Sequence, residues 1–257
     1  MKPDGFAPDQ RNPARFATTR WSVVLACDAS EGRTGAARAA LADLCQSYWR
    51  PIFAFICHRG YAFTDAQDLT QDFFVRLLEG PLLARADPER GKFRTLLLKA
   101  LTNFLSDVKE KRSARKRGGD VQFVSWDDWM AEAPSHLSIP ETALASWPAE
   151  RVYDLRWAAT VVERALRRLA EECEQQGRGR LFDHLSGSLM AERADVSMAE
   201  LMQRTGLAES PLRNLLHEMR ERYRALLREE VADTVESPES INEEVRYLCA
   251  TLALQTG

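Results

Sequence analysis

The chain predicts an all-α fold: two small helical domains joined by a linker, the C-terminal one a helix-turn-helix. Three observations carry this. Apolar residues recur at three- and four-residue spacing through most of the 257 residues. No segment shows the convincing period-two alternation of a half-buried strand. The helical period collapses between Gly118 and about Pro148, where Pro134, Pro140 and Pro148 punctuate the chain. The divisions that follow are 1–17, a disordered N-terminus; 18–117, a first helical domain; 118–150, the linker; 151–235, the helix-turn-helix domain; and 236–257, a C-terminal helical extension.

Each element has its own signals. Pro3, Pro8 and Pro13 and the polar residues among them mark the N-terminus as disordered. Helical period begins near Thr19 in "TRWSVVLACDAS" and returns in "ARAALADLCQSYWRPIFAFICHRG", where Leu41, Leu44, Tyr48, Ile52 and Ile56 share a face. Pro51 is expected to bend or split this run, and Gly60 to end it. In "TDAQDLTQDFFVRLLEG", Thr64 is the expected N-cap, and Asp65 and Asp68 favour the first turns. Leu69, Phe73, Leu77 and Leu78 form its apolar face, with Asp68, Gln71, Asp72, Arg76 and Glu79 opposite. The next helix, "FRTLLLKALTNFLSDVKEKRSARKR", buries Leu97, Leu101, Phe104, Leu105 and Val108. Between Lys109 and Arg117 it carries six Lys or Arg and one Glu. The linker holds Trp126, Trp129 and Trp147, which suggests that parts of it dock. Helices follow in "DLRWAATVVERALRRLAEECEQQG", ended by Gly177, in "GRGRLFDHLSGSL", and in "SINEEVRYLCATLA" near the C-terminus.

Between those last two lies "SMAELMQRTGLAESPLRNLLHEMRERYRALLRE". Ser197 is placed to cap a short helix, and Gly206 supplies the positive φ of a tight turn. Ser210 is the expected cap of a second helix, with Pro211 at its first position, where a missing N–H costs nothing. Leu201, Met202, Leu207, Leu212, Leu215 and Leu216 furnish the interior. This is the spacing of a helix-turn-helix, whose second helix enters the DNA major groove. Ser210, Arg213, Asn214, His217, Arg220 and Arg224 are its candidate DNA contacts, since Arg pairs bidentately with guanine and Asn with adenine. An ordinary surface helix laced with Glu–Arg pairs is the plainer reading, because Glu218, Glu221 and Arg222 are interleaved.

Composition excludes several classes. The net charge of -3 argues against indiscriminate polyanion binding and leaves local patches open. No run approaches the roughly 20 apolar residues of a membrane span. The five cysteines show no CxxC or zinc spacing, so they read as reduced thiols of a cytoplasmic protein with no metal or cofactor. No GxxxxGK[ST], HExxH, GxSxG or GxGxxG motif occurs, and His58, His136, His184 and His217 lack acid or nucleophile partners at motif spacing. An enzyme is not expected.

The order "RGYAFTDAQDLTQDFFVRLL", "GKFRTLLLKALTNFLSD", a basic run, a linker and a helix-turn-helix resembles the bacterial sigma-70 family, within it the two-domain extracytoplasmic-function type. The resemblance spans roughly Ala37 to Val235. It implies a subunit that binds core RNA polymerase and directs promoter recognition and transcription initiation. On that resemblance the Asp65–Glu79 helix grips the clamp coiled coil of the polymerase largest subunit through Asp68, Gln71, Asp72 and Arg76. The Phe93–Arg117 helix opens and reads the promoter -10 element. Asn103 and Asp107 match the family's Asn-x-x-x-Asp, and Lys109, Lys111, Arg112, Arg115, Lys116 and Arg117 neutralise phosphates. The helix-turn-helix reads the -35 element, and an anti-sigma factor or other regulator is a further partner class. The chain departs from the family where Thr95, Leu96 and Leu97 replace a common aromatic, where Met202 replaces a small residue, and in its extra terminal helices. The alternative is a helix-turn-helix regulator that never touches polymerase.

Overall fold

The structure, a computed structural model, describes residues 35–79, 92–115, 146–189, 197–232, 234–235 and 237–253; for 35–44 and 111–115 it describes the backbone alone. The expected N-terminal segment and helix before residue 35, most of the linker, Trp126 and Trp129 lie outside the described residues. Among the described residues the chain is all-helical, with eight α-helices and no strand.

Helix α1 (Gly35–His58) runs without interruption through Pro51. An interior proline costs about 3 kcal/mol or more. Pro51 and the next five residues, Ile52 to Ile56, are all buried. Each fully buried large apolar side chain contributes about 1.5–3 kcal/mol, so packing outweighs the local cost and the expected split does not occur. Gly60 then takes φ +88° and ends the run. Helix α2 (Phe63–Glu79) starts earlier than Thr64 predicts, because the Ala66 amide already donates to the Ala62 carbonyl at 2.7 Å. Its buried residues, Ala66, Leu69, Thr70, Phe73, Phe74 and Leu77, form one face. Helix α3 (Phe93–Arg115) reaches α1 through an edge-on Tyr48–Phe93 contact at 5.4 Å, and α2 through Phe73–Phe104 at 5.6 Å.

Helix α4 (Ala149–Gln175) is central. Fifteen of its 27 residues are buried, including every position from Leu155 to Val162. A helix buried all round its middle is packed on several sides at once. One side meets α1, where Phe55 and Tyr153 lie edge-on at 6.3 Å, Arg50 bonds Glu163 at 2.7 Å, and Arg164 donates to the Ser47 hydroxyl at 2.8 Å. The other side meets α7. Helix α4 ends at Gly177, φ +69°, where the Arg178 amide reaches back to the Cys173 carbonyl at 2.7 Å.

Helix α5 (Gly179–Leu189) leads to α6 (Met198–Thr205). Ser197 caps α6, its hydroxyl accepting from the Glu200 amide, and Gly206 at φ +71° ends it. Three residues, Gly206 to Ala208, then connect to α7 (Glu209–Ala232). The Leu212 amide donates to the Ala208 carbonyl, so α7 starts before Ser210, the expected cap, and Pro211 sits in its first turn. Leu201, Leu212, Leu215 and Leu216 are buried, as their spacing predicts. Helix α8 (Pro238–Ala253) packs on α4 and α7. The buried residues of both halves of the chain form one continuous cluster.

Candidate nucleic-acid interface

The α2 polar face is built by exclusion. With six residues turned inward, Asp68, Gln71, Asp72 and Arg76 are all exposed, beside Glu79. Val75 stands among them, 51% exposed. Sequence reading passed over Val75, although an apolar residue at i+3 and i+4 from Asp72 and Gln71 was visible there. A single exposed valine among polar groups is ordinary for a helix surface and by itself marks no docking patch.

Arg76 is not aimed wholly outward. Its Nη2 donates to Asp107 Oδ2 on α3 at 2.8 Å, and its guanidinium lies 5.8 Å from the Phe104 ring. The resemblance implies different partners for these two residues; the structure brings them together. Both side chains are about half exposed, so the pair contributes at most about 1 kcal/mol.

On α3 the inward face is Phe93, Arg94, Leu97, Leu101, Phe104 and Leu105. Asn103 is exposed, Asp107 half-buried, and Lys109 exposed near the C-terminal end. Lys111, Arg112 and Arg115 continue the same helix, with side chains outside the described residues, as are Lys116 and Arg117 altogether. Cations at a helix C-terminus complement its dipole, which helps the helix extend through so much like charge.

At the head of α3 sits a residue that sequence reading did not single out. Arg94 is buried, its Nε donating to Glu244 Oε1 at 2.6 Å and its Nη1 to Asp154 Oδ1 at 2.7 Å. Burial works to lower its pKa, but the Glu244 hydrogen bond and the Glu244 and Asp154 charges outweigh it, so the guanidinium is held more firmly protonated. Arg94 precedes Leu97 by three residues and Leu101 by seven, which puts it on their face of the helix. That spacing was the available signal, and the charge of the side chain masked it.

On α7, Ser210, Arg213, Asn214 and His217 are exposed along one side, three and four residues apart, and exposed Arg224 follows His217 by seven. Arg213 is held by Glu209 at 2.5 Å, one turn back, and Arg224 by Glu221. Such exposed pairs are weak and exchange readily for other anions. Arg220 differs. It is half-buried and its Nη2 donates to the Ser188 carbonyl at 2.7 Å, tying α7 to the end of α5. Arg222 turns away from this side, bonding Glu172 of α4 through two nitrogens at 2.6 and 2.7 Å.

No group of His, Cys, Asp and Glu among the described residues is arranged to hold a metal ion, and no helix there is long and apolar enough to cross a membrane. Compared with protein-family models, curated proteins and solved structures, the chain matches none.

Proposed function

We propose that the chain is a dissociable sigma subunit of the extracytoplasmic-function type, acting in transcription initiation. In this reading it is no enzyme: core RNA polymerase makes the phosphodiester bonds, and this chain supplies promoter recognition. The 18–117 unit binds the clamp coiled coil through the exposed α2 stripe and reads the -10 element with Asn103, Asp107 and the basic end of α3. The α6–turn–α7 unit acts as a helix-turn-helix on the -35 element, with Asn214 and His217 facing base edges and Arg213 and Arg224 free to trade Glu209 and Glu221 for phosphates or guanine. Arg220 is a brace for that helix and no longer a base-reading candidate. The observation that carries the reading is the run of three outward-facing polar stripes, on α2, α3 and α7, in the order and spacing that the sequence resemblance assigns to polymerase, -10 and -35.

A helix-turn-helix regulator that never touches polymerase is the second reading. The single continuous core favours it, because such a regulator has no need of separable halves.

Core RNA polymerase decides between them. Immobilised chain is expected to retain the core enzyme, and Asp72→Lys to weaken retention by at least about tenfold, or about 1.4 kcal/mol. A chain that ignores core polymerase while binding duplex DNA tightly on its own is a regulator.

A further inference from the structure

Arg76 has a nearer acid than the one it takes. Asp72 lies one turn before it on α2, the favourable order of acid and base at four-residue spacing. The guanidinium crosses to α3 all the same, where Nη2 donates to Asp107 Oδ2 at 2.8 Å. The surface between the helices accounts for the choice. Phe104 of α3 is 7% exposed and lies edge-on to the buried Phe73 of α2 at 5.6 Å. The guanidinium sits 5.8 Å from the Phe104 ring, so it has an aromatic contact as well as a carboxylate one. Both ends of the ion pair therefore rest on a packed junction.

The pair sits at the reading face of α3. Exposed Asn103 precedes Asp107 by four residues, so amide and carboxylate share one side of the helix. With both side chains about half exposed, the pair is too weak to hold the fold. What it changes is orientation. A lone carboxylate on a helix surface samples several rotamers and must be ordered when it binds, which costs affinity. Held at Oδ2 by a rigid planar fork, it presents Oδ1 in a set direction. A carboxylate only accepts hydrogen bonds, so Oδ1 suits the amino group of adenine N6 or cytosine N4. It repels the carbonyl that guanine and thymine carry at the corresponding atom.

We propose that Arg76 is a positioning residue for promoter reading and not a polymerase contact: it fixes Asp107 so that adenine or cytosine is preferred at one unpaired position of the -10 element. This rests on the sigma reading and moves one residue within it. Asp68, Gln71 and Asp72 stay on the polymerase stripe, and Arg76 joins Asn103 and Asp107.

Selection by the assembled enzyme tests this. The full chain is combined with core RNA polymerase and used to retain duplexes that carry an unpaired segment of random sequence. Sequencing the retained DNA gives the base preference at each unpaired position. Wild type is expected to favour adenine or cytosine at one position by about fivefold or more. Asp107→Asn and Arg76→Gln are each expected to cut that preference at least about threefold, at the same position, while Arg76→Gln retains core polymerase within about twofold. Arg76→Lys keeps the charge without the fork and should fall between. In the double variant the losses should not add, because the second substitution removes an arrangement already lost. Thermal unfolding of all these variants should match wild type, which separates positioning from a merely structural role. An Arg76→Gln chain that loses core polymerase about tenfold and keeps the wild-type base preference overturns the proposal. So does an additive double variant, and so does a wild-type enzyme without an adenine or cytosine preference sensitive to Asp107→Asn. A wild-type chain that neither retains core polymerase nor selects any base removes the sigma reading itself, and Arg76's role with it.

Discussion

Distance from water sets the reactivity of individual side chains here. Burial pushes the Cys45 thiol up to about 11 and the Cys57 thiol up to about 12. Cys173 is raised as well, mainly by burial, with Arg178 opposing and Glu172 assisting. Thiols are nucleophiles only as thiolates. Brief alkylation at neutral pH, followed by peptide mapping, is therefore expected to mark the exposed Cys249 and spare Cys45, Cys57 and Cys173. Labelling of Cys57 as fast as Cys249 would mean that the inner face of α1 is open to solvent. At this scale the sequence is a partial guide. It identifies Asn103, Asn214 and His217 as outward polar residues, since a helical face is a local property. It does not foresee that Arg76 meets Asp107 thirty-one residues later, or that Arg94 finds buried carboxylates to pair with. Both depend on which helices become neighbours, and the period of one helix carries no information about that.

The stops of the helices were legible because glycine conformation is local. Gly60, Gly177 and Gly206, each read from the sequence as an end, all take positive φ. The starts of α2 and α7 were less so. Thr64 and Ser210 have the right chemistry for caps, but Ala62 and Ala208 supply the first accepting carbonyls, since packing of the inner face sets where each helix begins. Pro51 shows the same competition on a larger scale. Gly206 offers a clean measure of the turn between α6 and α7. A Cβ built there meets no atom within 4 Å, so the cost of Gly206→Ala is backbone strain alone. Left-handed geometry costs an L-residue about 1–2 kcal/mol. Urea unfolding is expected to show a loss of that size with an unchanged m-value; a loss near zero would mean that the turn relaxes to another geometry.

For the whole molecule, Glu230 is a buried bridge between α4 and α7. It is 5% exposed and accepts from Arg164 at 2.8 Å and Arg168 at 2.9 Å. Burial works to raise its pKa, but the two guanidinium groups outweigh this and hold it below the ordinary 4.5. The sign follows: a depressed carboxylate stabilises the fold above its ordinary pKa, and that contribution is lost as pH falls through the folded value. Glu230→Gln is expected to cost about 2–3 kcal/mol at neutral pH. The gap to wild type should narrow as pH drops below 4.5. Melting curves at stepped pH measure it, and a gap that stays constant into acid would assign the loss to packing. The all-helical character was readable from periodicity at this scale, whereas the α1–α4 seam was not: apolar faces announce that they need partners without naming them.

The clasp at Arg94 also has a consequence in time. Arg94 and Glu244 are 150 residues apart in the chain. Ribosomes add about 5–20 residues per second, so Arg94 emerges roughly 8–30 s before Glu244, the fully buried one of its two carboxylate partners. Through that interval the nascent α1–α3 segment carries a cation at a site that burial would penalise, and its head remains hydrated and open. Helix α8 is thus the element that lets the head of α3 finish folding, so its emergence sets the earliest moment at which Arg94 is fully enclosed.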